Sequence, residues 1–247
     1  MSNDFWDHLA QNYPSFDNPQ MGDDVRTMIN LALDSGVTFD GARVLDIGCG
    51  TGTVAIPLAM MGARVCAMDI SEGMLSRLKS DSKNAGVGEK ITIHLSDWDG
   101  FALEGEYDIV LASMTPAVST DAHYDKYIGA AKSWGIFVGW GAYKRNPFLE
   151  ELAAAHGGKY IEPNNKAAKF HDLITARGKK ASLDFFETGW EERYTMEKAL
   201  DYAVNHLKRD GITPDMEKVH AILAKWEQNG SVTIGTQAQK GVVVWKA

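Results

Sequence analysis

The chain has 247 residues, room for one large domain or one domain with an insertion, and 45% of them are hydrophobic, an ordinary share for a globular protein. A net charge of −8 leaves little basic surface for a polyanion and disfavours a nucleic-acid substrate. Two cysteines, Cys49 and Cys66, make no disulfide framework, the first residues lack the basic and apolar regions of a signal peptide, and no apolar run approaches the ~20 residues of a membrane span, so a cytoplasmic protein is expected.

Phe5, Trp6, Leu9 and Tyr13 fall on one helical face behind an Asn3 or Asp4 cap. Pro14 and Pro19 mark a break, and a second helix is expected over about 23–34, with Val25, Met28, Ile29 and Ala32 on its apolar side. These two helices make an N-terminal helical cap over 1–40. Strands are then expected near 43–47, 64–69, 91–95, 107–113 and 134–140, and helices near 53–61, 72–85, 121–132 and 147–156. Such alternation gives parallel strands with helices on both faces, and right-handed crossovers place ligands at the strands' C-terminal edge.

The end of the chain breaks this rhythm. Residues 182–194 read as a long strand. Thr195 caps a helix carrying Met196, Ala199, Leu200, Ala203 and Leu207; Thr213 and Pro214 open another carrying Met216, Val219, Ile222, Leu223 and Trp226. Residues 231–235 and 241–245 read as a hairpin. The helix pair 195–228 stands as an insertion before the last strand or strands: a lid, an interface, or plain packing. Its balanced charge argues against a DNA-reading helix-turn-helix.

The most informative stretch is Val44, Leu45, Asp46, Ile47, Gly48, Cys49, Gly50, Thr51, Gly52: a buried strand, an acidic residue, then three glycines at alternate positions before a helix. That order builds a βα turn whose backbone approaches a ligand closely and offers N–H groups at the helix start. Asp69 ends the next apolar run, one βαβ repeat later, where a carboxylate accepts from both ribose hydroxyls of a nucleoside. The dinucleotide fingerprint wants its third glycine where Thr53 stands. Asp46, two places before the first glycine, suits an amine and a sulfonium better than a pyrophosphate.

With Met68-Asp69-Ile70-Ser71 and Met74-Leu75, this segment resembles motif I of the class I S-adenosylmethionine (SAM)-dependent methyltransferases. The resemblance covers about 40–143. It implies a Rossmann-like three-layer α/β sandwich: a mostly parallel seven-stranded sheet with an antiparallel C-terminal strand, plus the helical insertion, in one domain over 1–247. It also implies residue roles. Asp46, Gly48, Gly50 and Gly52 match the loop holding the methionine portion of SAM; Asp69 matches the ribose acid. Ile70 and Met74 match the adenine sandwich, and Asp97 and Trp98 the adenine edge, through the carboxylate and the Trp98 N–H. The alternatives are a core methionine at Met74 and a turn cap at Asp97.

Ser113, opening Ser113-Met114-Thr115-Pro116-Ala117, stands where the family faces the transferable methyl, or else simply ends a strand. The segment lacks the second proline and the aromatic of the amino-group methylases, which argues against adenine-N6 or glutamine as acceptor. The opening helix resembles one that folds over SAM in small-molecule methyltransferases, bringing Tyr13 near the sulfonium; the alternative is an aromatic staple on the sheet edge.

A general base is needed only if the acceptor must lose a proton. The candidates are His123, Tyr124, Asp125 and Tyr143, with His171 more remote, and no motif supports any of them. Cys49 serves the turn by its small size. The seven histidines show no ligand spacing, so no metal is expected. Trp140, Trp190, Trp226, Phe185 and Phe186 line an apolar acceptor pocket or belong to the core. The resemblance thus implies a SAM-dependent methyltransferase with a small-molecule or metabolite acceptor and S-adenosylhomocysteine (SAH) as product, no nucleic-acid or membrane partner, and a homodimer left open. A SAM-binding regulatory protein and an NAD-dependent Rossmann oxidoreductase are the alternatives.

Overall fold

A computed structural model describes residues 3–11, 13–160 and 163–247. The chain divides into two compact units. The first holds residues 1–139, 166–185 and 241–247; the second holds 140–165 and 186–240.

The first unit begins with helices α1 (Asn3–Ala10) and α2 (Pro19–Asp34). Helix α2 starts earlier than expected: Pro19 stands at its first turn rather than breaking the chain, and the Asn18 side chain accepts from the Met21 N–H at 3.0 Å. Strands β1 (Arg43–Ile47), β2 (Arg64–Asp69), β3 (Ile91–Leu95) and β4 (Tyr107–Ser113) alternate with helices α3 (Ala55–Met60), α4 (Glu72–Asn84) and α5 (Asp121–Gly129). Helix α5 is shorter than its expected range, because Ala131 already pairs with Tyr107 in strand β5 (Ala131–Arg145). Chain order continues with α6 (Pro147–Ala155), α7 (Lys166–Ala176), β6 (Ala181–Thr195), α8 (Met196–Arg209), α9 (Met216–Trp226), β7 (Glu227–Gln228) and β8 (Ser231–Lys246).

The strand order is β3-β2-β1-β4-β5-β8-β6, with the short β7 paired to β8. Strand β1 pairs in parallel with β2 and with β4. Sequence order reverses between those neighbours, which makes the C-terminal ends of β1 and β4 the topological switch point where such sheets bind ligands. Strand β8 is antiparallel to β5: the Ala247 N–H reaches the Ser133 carbonyl, while the Ala142 N–H reaches the Gln239 side chain. The sheet is Rossmann-like and mostly parallel with an antiparallel C-terminal strand, and β7 adds an eighth, two-residue strand to the expected seven.

Two local readings are corrected. The expected hairpin of 231–235 and 241–245 is the single strand β8. The turn lies at Asn229-Gly230, both at positive φ, between β7 and β8. Gly241 sits in mid-strand because a Cβ there would lie 2.5 Å from Ala167 Cβ. Helix α9 is capped by Asp215, whose Oδ1 accepts from the Glu217 and Lys218 N–H groups, rather than opened by Thr213 and Pro214. Helix α7 had no counterpart among the expected elements; it buries Ala167, Phe170 and Ile174.

The core of the first unit gathers Leu45, Ile47, Met68, Tyr107, Val110, Phe137, Phe170 and Trp245 around the strands. Phe137 stacks on Phe170 with centroids 4.1 Å apart, and Tyr127 meets Trp245 edge-on at 5.1 Å. A separate core in the second unit packs α6, α8 and α9 through Phe148, Leu152, Ala203, Leu207, Val219 and Leu223. The 195–228 helices therefore share their burial with α6. No described helix is long and apolar enough to cross a membrane.

Candidate functional site

Strand β1 ends in the glycine loop, and the loop folds back on β2: the Gly48 and Cys49 N–H groups both donate to the Met68 carbonyl, at 2.8 and 3.0 Å. Gly48, Gly50 and Gly52 have φ of 68°, 55° and 84°. Each lies in the left-handed region that side chains resist. Gly48 is doubly constrained, since a Cβ there would sit 2.1 Å from Thr115 Oγ1, in the loop after β4. Gly52 abuts Leu78 on α4. Gly50 differs: a Cβ there would meet nothing within 4 Å, so its backbone borders open space.

Asp69 closes this loop. One carboxylate oxygen accepts from the Gly50 N–H at 2.9 Å and the other from the Ser71 N–H at 3.0 Å. Burial pushes its pKa up, and the Gly50, Ser71 and Ile70 N–H groups counter that shift. Ser71 in turn caps α4 through the Met74 N–H. Asp46 is 2% exposed and its Oδ2 has no hydrogen-bond partner. Burial, then the charge of Asp69, raises its pKa to about 7.

A buried carboxylate oxygen without a donor, close to a second carboxylate, favours the protonated acid. It also has a pH signature. The folded state binds the Asp46 proton more tightly than the unfolded chain, so the stability this site contributes is full below the ordinary value of 3.8 and is lost as pH rises through about 7. Asp46→Asn is expected to flatten the fall of unfolding free energy over that window. Denaturant titrations at several pH values check this, and an unchanged slope would place the dependence elsewhere.

Beyond β2 and β3, Ile70, Leu95, Ser96 and Asp97 line a shallow recess with Asn3. Leu95, 59% exposed, is its apolar surface and was not among the expected residues. A leucine as the last residue of a strand run, next to Ser96 and Asp97, is the sequence signal that could have found it. Asp97 caps a turn through the Gly100 N–H at 2.6 Å and lines the recess as well. Two expectations fail. Met74 is 2% exposed, a core methionine of α4 rather than an open sandwich face. The Trp98 indole is buried, stacks on Phe101 and donates to the His123 carbonyl at 3.2 Å, so that N–H is not available to a ligand.

The N-terminal segment is fastened beside this edge by residues that sequence reasoning did not single out. Asp7 accepts from the Ser71 hydroxyl at 2.5 Å and the Gly73 N–H at 2.8 Å. Arg77 donates to the carbonyls of Ala10 and Tyr13, and the buried Thr51 hydroxyl to the Pro14 carbonyl. Tyr13 lies beyond the end of α1, and burial followed by the Asp69 charge raises its pKa. Asp7→Ala is expected to release α1 and speed amide exchange there severalfold, with little change in global Tm, because the latch is local. Hydrogen exchange resolved by segment checks this; unchanged exchange in α1 would show that Arg77 alone holds it.

Ser113 ends β4 paired with Val138, and Met114 after it holds a positive φ of 52°, rare for a residue with a side chain. Lys166 Nζ lies 3.4 Å from the carbonyls of Thr115 and Val118, and burial lowers its pKa. The base candidates do not converge here. His123 uses both ring nitrogens, one on the Ser119 N–H and one on Asp99 at 2.9 Å. Tyr124 packs on Phe170, and burial raises its pKa, which disfavours the phenolate. Asp125 pairs with Arg177, and His171 lies by Asp172. Tyr143 belongs to the second unit. Burial raises the Cys49 thiol well above its ordinary range, which removes it as a nucleophile. No cluster of three or more potential metal ligands occurs among the described residues.

The expected aromatic pocket also separates. Trp226 packs edge-on against Phe148 and donates to Glu151 at 2.9 Å, within the second unit's core. Phe185 lies against Gly241 in the first unit. Trp140 and Trp190 do meet, with centroids 6.5 Å apart.

Sheet order, glycine loop and the two acids at the strand ends make this a Rossmann-like α/β domain with its candidate site at the switch point. Residues 44–134 match the family described as methyltransferase domain. A protein of Haemophilus influenzae, itself uncharacterised, is 41% identical over 146 residues, 59% of this chain and 53% of the relative. A ribosomal protein L11 methyltransferase of an Exiguobacterium species is 30% identical over 155 residues, 62% of this chain and 48% of the relative. The chain thus spans about half the length of these curated relatives. The crystal structure of magnesium protoporphyrin IX methyltransferase from Synechocystis PCC 6803, with SAH bound, shares the fold: TM-score 0.53, 22% identity, 67% of this chain and 75% of that one. Residues 44–134 are accordingly similar to a methyltransferase domain, and the sheet shares the fold of an SAH-bound methyltransferase structure.

Proposed function

We propose that this protein is a SAM-dependent methyltransferase that passes the methyl group in line to a small-molecule acceptor. One observation carries the reading: at the switch point, the buried Asp46, whose Oδ2 accepts no hydrogen bond, and the anchored carboxylate of Asp69 flank a loop whose Gly50 borders open space. The residues present fit the cofactor. Asp46 would take its cationic end, and Asp69 its ribose hydroxyls. The glycine-loop backbone and the first turn of α3, which no side chain caps, would take its carboxylate. The recess of Ile70, Leu95 and Asp97 would take its base.

SAM supplies a methyl already activated on a sulfonium. The chain's task is to hold the acceptor in line and exclude water, and good orientation alone can supply roughly 7–11 kcal/mol of barrier lowering. Met114 and Thr115, held from beneath by Gly48 and from the side by Lys166, are the backbone that would position the acceptor. With both His123 nitrogens engaged and the other base candidates paired, packed or in the second unit, an acceptor whose lone pair is free at neutral pH is favoured.

A small molecule is supported by the name of the Synechocystis neighbour, and a protein acceptor by that of the L11-type relative. The pinned α1 favours the former, since it lies against α4 beside the recess. Calorimetric titration with SAM, SAH and NAD tests the cofactor. Micromolar binding of the two sulfur nucleosides without NAD supports the reading, and binding of NAD alone overturns it. SAH release with a panel of small acceptors, and with ribosomal protein, then separates the two acceptor classes.

A further inference from the structure

Strand β3 ends at Leu95, and the chain passes at once into Ser96, Asp97, Trp98, Asp99, Gly100 and Phe101. Asp97 folds this turn on itself: its Oδ1 accepts from the Gly100 N–H at 2.6 Å and its carbonyl from the Phe101 N–H at 3.0 Å. These ties lie within the turn and do not fix how it sits on the sheet. Helix α5 supplies that. Lys126 Nζ donates to the carbonyls of Trp98 and Phe101 at 2.5 and 2.6 Å and lies 3.4 Å from that of Asp99. The same ammonium sits 4.4 Å from the centroid of the Trp98 ring. One helical turn earlier, His123 takes the Trp98 indole N–H on its carbonyl and holds the Asp99 carboxylate with its ring. Carbonyls converging on one cation is the arrangement that closes a helix end, with the charge against the negative ends of the peptide dipoles. Here it closes a turn beside the recess.

Asp97 is the residue through which this clamp reaches a ligand. It lines the recess with Ile70, Leu95 and Ser96. Its Oδ1 is spent on Gly100, and its Oδ2 accepts no hydrogen bond among the described residues. A carboxylate oxygen can only accept. It favours a base that presents an amine and opposes one that presents a carbonyl in the same place, because two sets of lone pairs then face each other. That discrimination depends on where the carboxylate stands, since a hydrogen bond weakens steeply once its length or angle is lost. We propose that Lys126 is a positioning residue for base selection: from α5 it holds the 98–101 turn so that Asp97 reads the exocyclic amine of the nucleoside's base. The proposal rests on the SAM reading above, which puts that base in the recess.

The test is calorimetry on the full-length protein with SAH and with S-inosylhomocysteine, which carries a carbonyl in place of the amine. The wild type is expected to bind SAH about tenfold more tightly. Lys126→Met keeps the alkyl stem over Trp98 and removes the donors, so the preference should fall to about threefold or less, mostly through weaker SAH binding. Lys126→Arg still donates to the carbonyls and should keep most of the preference. Asp97→Asn keeps an oxygen for the Gly100 N–H, turns an NH2 to the recess and should erase the preference; it keeps the proposal open to refutation even where Lys126→Met fails to fold. A purely structural role for Lys126 would weaken both ligands by the same factor, and that result overturns the proposal. So does an undiminished preference in Lys126→Met or in Asp97→Asn, or equal binding of the two nucleosides by the wild type. Each of these leaves the cofactor reading standing, whereas a wild type that binds neither nucleoside overturns both.

Discussion

Asp69→Ala is expected to lose about 100-fold or more in affinity for SAM, since two charge-assisted hydrogen bonds at roughly 1.5–3 kcal/mol each amount to at least two factors of ten. The same carboxylate also gathers the Gly50 and Ser71 N–H groups, so its removal frees the loop that borders the open space. Asp69→Asn separates these effects. It keeps an oxygen for one loop N–H, turns an amide NH2 toward the other and loses the charge proposed to hold ribose, so it should lose less Tm than the alanine variant and still bind weakly. Calorimetry with SAM, alongside thermal unfolding of each variant, reads both quantities. Undiminished affinity in the alanine variant would remove Asp69 from the nucleoside site.

The second large effect is on stability. Gly135→Ala would put a methyl 1.8 Å from Trp245 Cζ2 and 2.1 Å from its Cε2. Trp245 is fully buried and cannot retreat, with Tyr127 at 5.1 Å and Phe170 at 5.4 Å against its ring. Overpacking a closed core costs about 1–3 kcal/mol and sometimes more, and a clash of this depth belongs at the upper end. A cost of about 3 kcal/mol lowers Tm by roughly 6–12 °C in a chain of this size. Trp245→Val leaves a cavity of its own but makes room for the methyl, so the double variant should be more stable than the two single changes sum to. Strict additivity would show that the ring is not what Gly135 yields to.

The parts legible from residue order share a physical basis: they rest on local backbone chemistry and on periodicity. Strands 43–47, 64–69, 91–95 and 107–113 sit at their expected positions because each is an apolar run closed by glycine, acid or turn residues. Three glycines at alternate positions demanded positive φ, and all three have it. Thr195 caps its helix as expected because a side-chain oxygen one residue before the first turn reaches the third N–H whatever surrounds it.

Where the reading failed, partners far along the chain were responsible. Residues 231–235 and 241–245 read as the two strands of a hairpin; Gly241 is small because Ala167 and Phe185 pack against it in mid-strand. Helix α7 carries its apolar residues at helical spacing but few of the end signals that announce a helix, and only its packing into the aromatic core makes it plain. Met74 and Trp98 match a ligand-binding motif by position, yet burial assigned them to the core.

The chain's local chemistry thus sufficed for the class of fold, the glycine loop and the place of Asp46 and Asp69 at two strand ends, since each depends on residues within one βα unit. Asp7 reaching Ser71, Thr115 covering Gly48, and Lys126 gathering the carbonyls of Trp98 and Phe101 needed the assembled sheet, because they join residues from separate elements, and no periodicity encodes which distant side chains will share a boundary with solvent.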